Sequence, residues 1–197
     1  MLLDTRDIKR SSKMIFESSY WKADLLRRAS LLRKNSTQKR WSERSFAKCE
    51  QTVMIGFYAI RKLIEAKKLT DEFTETPVQM QSYRPTGTRA TRLNNHKPEE
   101  LYDLANSEQR ELSLLDLCNQ VIHSYIFMPV LDECGALVAI LVTSDRQRSK
   151  GLFHVEAHAI VTIFEQAAND EVGSIHAEFE DSIGDYRIKS FPFKETP

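Results

Sequence analysis

Cysteine is scarce in this 197-residue chain, with only Cys49, Cys118 and Cys134 and no closely spaced pair among them. Such a set excludes a disulfide framework and a structural zinc site of the paired-cysteine kind, and it fits a reducing, cytoplasmic setting. Glycine is equally sparse, six in all. None belongs to a phosphate loop or a dinucleotide-binding Gly-x-Gly-x-x-Gly pattern, so no large cofactor is expected. Apolar runs long enough to span a bilayer are missing, and Asp4, Arg6 and Asp7 follow only two leucines at the start, which leaves no stretch for a signal peptide. Neither a cofactor nor a membrane enters the expected partners.

Net charge is absent too, with 28 basic residues against 28 acidic ones. The balance hides a segregation: residues 1–68 hold 17 Lys and Arg against 7 Asp and Glu, and residues 69–197 hold 11 against 21. Two readings follow. The basic half offers phosphates a face made of Arg27, Arg28, Arg33, Lys34, Arg40 and Arg44. Alternatively, opposite-charge faces meet, within the chain, in a homo-oligomer or with a protein partner.

What is present is helical first and extended later. With 41% apolar content, a single domain is the default. Residues 4–34 contain neither Gly nor Pro and predict a long first helix, with Ser18-Ser19 the place where it can break. Asn35, Ser36 and Thr37 offer a turn and a cap. A second helix then runs to about Leu69 on the stripe Trp41, Phe46, Cys49, Val53, Phe57, Ile60 and Ile64. Beside that stripe, Gly56 allows another element to approach closely.

Residues 74–97 carry Pro77, Pro85 and Gly87 and read as a long loop with room for a short strand at 78–83; Arg84, Arg89, Arg92 and His96 lie in it. Pro98 followed by two glutamates starts a third helical region reaching Ser124. Beyond it, 125–131 and 136–143 are β-rich runs around a turn, 151–155 supplies a third strand, and 156–169 returns to helical spacing. The tail, 170–197, is expected to be loosely held. The fold expected is therefore α+β: a helical bundle of long antiparallel helices over 1–124, then a small antiparallel sheet with a covering C-terminal helix.

The chemistry-bearing feature is Leu117-Cys118-Asn119-Gln120-Val121-Ile122-His123-Ser124. Asn119 and His123 are four apart and share a helix face. One reading makes them a buried polar pair that satisfies backbone groups where the helix meets the first strand. Cys118, flanked by Leu117, reads as core. His154 and His158 have the spacing of two ligands to one metal but lack a third, so no metal site is assigned. The 144–150 loop, with Arg146 and Arg148, has the polarity to contact phosphate.

The Asn119 to His123 turn resembles the signature of the HEPN superfamily of helical-bundle proteins, an arginine followed by histidine, often as Arg-Asn-x-x-x-His. The resemblance covers the helices to about residue 124 and implies, in catalytic members, metal-independent RNA cleavage in a cleft between protomers. It would make His123 the acid/base and Asn119 a positioner of phosphate or histidine. Cys118 stands where the family has arginine, and a thiol cannot replace a guanidinium fork in stabilising a pentavalent phosphate. The function expected is a non-catalytic, homodimeric RNA- or protein-binding module. The alternatives are a ribonuclease in which an arginine from elsewhere (Arg110, Arg89 or Arg92) completes the site, and a structural or assembly subunit.

Overall fold

The computed structural model describes residues 17–193. Helix α1 (Ser19–Asn35) buries Leu25, Ala29 and Leu32, spaced four and three residues apart, completely. The part of the expected first helix before residue 17 lies outside the described residues. Helix α2 (Glu43–Glu65) starts later than expected, because Ser42 and Ser45 form a capping box: each side chain takes the other's backbone N–H. Residues 35–37 instead close α1. The expected stripe of α2 is in place, with Cys49, Val53, Phe57 and Ile60 at the core. Gly56 is where the Phe164 ring meets this helix, and a Cβ would lie 2.1 Å from its Cζ.

From there the structure departs from a bundle. Helix α3 (Asp71–Glu75) leads into strand β1 (Val78–Pro85), and the single turn α4 (Pro98–Leu101) leads into β2 (Tyr102–Leu112). Helix α5 (Leu114–Ile122) is only nine residues long, with Ser113 as its N-cap. Strands β3 (Ser124–Leu131), β4 (Leu137–Ser144) and β5 (Leu152–Glu156) precede helix α6 (Ala157–Asn169), and β6 (Val172–Glu180) and β7 (Asp185–Pro192) form a separate hairpin. The five-stranded sheet is antiparallel throughout, in the order β2-β1-β5-β4-β3.

Thus the α+β class stands, but the expected bundle of long helices followed by a small sheet does not. Among the described residues the longest helix has 23 residues, and the sheet takes two of its five strands, β1 and β2, from the stretch ahead of residue 124. The third helical region fails because Tyr102–Leu112, rich in helix formers, pairs along β1 from Val78↔Leu112 to Tyr83↔Ser107; tertiary pairing overrides local propensity. The hairpin β3–β4, strand β5 and helix α6 match the expectation for 125–169.

Alternation divides the sheet into two packed faces. Met80, Ile140, Val142, Phe153 and Val155 face the helices and join the main core with Leu117, Val121, Ile160 and Phe164. Ile126, Leu141 and Leu152 face the other way and are covered by Ala90, Leu101 and Tyr102. The loop 86–97 is therefore a lid over the second face, pinned by Arg148, which donates to the Ala90 carbonyl at 2.8 Å.

The tail, as far as residue 193, is a structured hairpin, contrary to expectation. Ser190 in β7 is fully buried; its hydroxyl donates to the Leu69 carbonyl at 2.7 Å and lies 2.9 Å from the Asp71 carboxylate. No helix among the described residues is long and apolar enough to cross a membrane.

Candidate functional site

Three elements converge at the end of α5. The backbone N–H of His123, its C-cap residue, donates to the Asn119 carbonyl at 3.1 Å, so both side chains leave the helix on one side. Gln120 ties the helix to the sheet, its side-chain oxygen accepting from the Ser144 N–H at 3.0 Å. Opposite stands α2. Its Arg61 donates from Nη1 to Asn119 Oδ1 at 2.9 Å and lies 3.3 Å from His123 Nε2. A guanidinium can only donate, so in this contact Nε2 of His123 can serve only as the acceptor.

Residues 144–151 form the third wall. They coil through turn hydrogen bonds, Arg148 N–H to the Ser144 carbonyl at 2.9 Å and Lys150 N–H to the Gln147 carbonyl at 2.8 Å. This coil sends Arg146, Gln147 and Lys150 toward Arg61 and His123 across a cleft of about 580 Å³. Three fixed cations, Arg61, Arg146 and Lys150, line it against one carboxylate, Asp145. Asp145 is itself paired with Arg148 at 3.1 Å. Arg61 is held in place by Glu65, 2.9 Å from its Nε. Hydrogen bonds from Lys62 and Arg61 keep the Glu65 carboxyl below its ordinary range.

Asn119 and His123 therefore do not form a sealed polar pair: His123 is exposed, and Arg61 stands beside both. The arginine is none of those expected. Arg89 and Arg92 lie in the lid, and Arg110 is paired with Glu108 in edge strand β2. Cys118, next to Asn119, points into the core, and burial pushes its thiol up to about 12. His154 sits on β5 and His158 on α6, so their spacing is split by a strand end. Burial lowers His154, and no cluster of three metal-ligating side chains occurs among the described residues.

The basic residues of α1 do not join this cleft. Arg27 and Arg28 both pair with Asp24, the latter at 2.6 Å, and Arg33 is clasped by Glu165 of α6, one of its two bonds at 2.7 Å. Lys34, Arg40 and Arg44 are exposed around the α1–α2 connection. Of the loop pair, Arg146 lines the cleft, whereas Arg148 serves the fold: besides holding Ala90 and Asp145, it lies 4.1 Å over the Tyr125 ring. Sequence reasoning missed Arg61, Gln147 and Lys150 as site residues. Lys150 stood in the polar loop already singled out, but nothing local marks Arg61, 58 positions from Asn119. In comparisons with known proteins, no family model matches the chain, and no curated protein or solved structure matches it.

Proposed function

We propose that this protein is an RNA-binding module whose cleft takes a backbone phosphate of a single strand. The observation that carries this reading is Arg61 beside Asn119 and His123, a cation with directed donors in a concave wall. Charge-assisted hydrogen bonds to phosphate are about twice as strong as neutral ones, and Arg146 and Lys150 add two cations from the opposite wall. The lining has no Phe, Tyr or Trp ring, and His123 is its one aromatic group, so it offers bases little stacking surface. Recognition of backbone over base is the consequence.

A second reading, RNA cleavage with His123 as acid/base, is favoured by the same Arg61, which supplies the cation that Cys118 cannot. Binding requires less of the site, since cleavage needs a base for the 2′-hydroxyl and an acid for the leaving oxygen, and the lining has one imidazole.

The test is fluorescence anisotropy with a labelled twelve-nucleotide oligouridylate. Each phosphate neutralised contributes about −0.7 to the slope of log K against log salt for a single strand. Arg61→Ala is expected to weaken binding about tenfold or more, and His123→Ala to preserve most of it. Salt-independent binding, or an Arg61→Ala variant that binds as wild type, would defeat the proposal. Cleavage of the same oligonucleotide that is lost in His123→Ala would establish the second reading instead.

A further inference from the structure

The coil at 144–151 has two sides, and the second one also faces a cleft. Arg146, Gln147 and Lys150 point to the Arg61 side, while Asp145, Arg148 and Ser149 line a separate depression of about 450 Å³ closed by Gly87, Thr88 and Arg89 of the lid. Asp145 borders both. The division follows helical spacing, in which positions three and four apart share a face: Arg146 and Gln147 with Lys150 on one side, Arg148 and Ser149 with Asp145 on the other.

From this geometry we infer that the second depression is a second phosphate subsite, so that the ligand is a strand long enough to cross the coil rather than a mononucleotide. The inference rests on the proposed binding of RNA in the first cleft. Its cation is Arg89, whose side chain is exposed and has no ion pair among the described residues. Thr88 and Ser149 add hydroxyl donors. Gly87, at φ +100°, keeps the chain in a left-handed turn where a Cβ would meet nothing within 4 Å, so the mouth stays open.

The wall itself is rigid. Arg148 joins the coil to the lid through Asp145, the Ala90 carbonyl and the Tyr125 ring, and its own carbonyl accepts from the Tyr102 hydroxyl at 2.8 Å. The two subsites are thus fixed relative to each other. A helical coil with its side chains is about 10–12 Å across. One nucleotide, with its one phosphate, therefore cannot occupy both subsites. Asp145, on the crest, is neutralised by Arg148, which lowers the repulsion a crossing strand would meet.

The discriminating experiment compares oligouridylates of two, four, six and twelve nucleotides with uridine monophosphate, on wild type, Arg89→Glu and Arg61→Ala. Wild-type affinity is expected to rise sharply between two and six nucleotides. Arg89→Glu should lower affinity for the twelve-mer about tenfold and reduce the salt slope by about 0.7, while leaving the weak competition by uridine monophosphate unchanged. Arg61→Ala should weaken every ligand. Should Arg89→Glu bind the twelve-mer as wild type does while Arg61→Ala loses it, the second subsite is wrong and the first cleft stands. Equal affinity for monophosphate and twelve-mer also overturns it. If no ligand binds the folded wild type, the reading of the first cleft fails as well.

Discussion

Cys118 and His123 stand just over one helical turn apart and meet opposite surroundings, which is why a motif of spacing alone misjudges them. The thiol is completely buried, and burial pushes it up to about 12; Cys49, also buried, is raised to about 11. So raised, the Cys118 thiol stays protonated at pH 8, and no reagent reaches it without opening the core. Cys134, in the turn between β3 and β4, is exposed. Titration of the native protein with dithiobis(nitrobenzoate) is therefore expected to release one equivalent quickly and all three only after unfolding. Rapid release of two or three would mean that the α2–α5 contact opens readily and that these thiols are not sealed in the core. His123, by contrast, exposes a ring whose Nε2 is already engaged by Arg61.

At the scale of elements, the hairpin β6–β7 depends on few contacts, since two strands alone are marginal in water. Asp71 is the hub: it sits 2.9 Å from the Ser190 hydroxyl, accepts the Ser190 N–H at 3.2 Å and pairs with Lys67 at 3.2 Å. Burial pushes its carboxyl up, but the hydrogen bonds from Ser190 and Lys67 outweigh that and leave it below its ordinary 3.8. A carboxyl lowered in the folded state contributes its full stabilisation above the unfolded value and loses it as pH falls through the folded one. Asp71→Asn is thus expected to speed proteolytic cleavage within 172–193 at neutral pH, and the difference from wild type should vanish in strong acid. Equal cleavage rates at neutral pH would show that other contacts hold the hairpin.

Elements also explain what the sequence made legible. The β3–β4 hairpin, β5 and α6 could be read because their apolar residues alternate or recur within one element. Strand β2 could not, since Asp103, Ala105, Glu108, Gln109 and Arg110 follow helical preference and their pairing with β1 is a tertiary fact. Asn119 and His123 were legible as a face, being four apart. Arg61 was not, because its approach depends on how α2 crosses α5 over the sheet.

Across the whole molecule, part of the charge segregation is met inside the chain, where α1 lies against α6 and the residues after it. Arg33 of α1 reaches Glu165 of α6, and Lys22 donates to the Asp170 carbonyl and lies 3.3 Å from Glu171. The basic amino-terminal helices thus rest on the acidic carboxy-terminal part. The exposed Arg33–Glu165 pair contributes little energy; the packing of α1 on α6 contributes more. Because β1 pairs directly with β5, the sheet joins chain segments from both sides of residue 124. Met80 and Leu117 bury themselves in one cluster with Val142, Val155 and Phe164. A fragment covering residues 17–124 would keep β1 and β2 but lose the three strands and the helix against which α2 and α5 pack. It is expected to show no cooperative thermal transition by circular dichroism, whereas the full chain should unfold in one step, with ellipticity and the fluorescence of Trp21 and Trp41 coincident. A cooperative transition in the fragment would instead make the amino-terminal part a folding unit of its own.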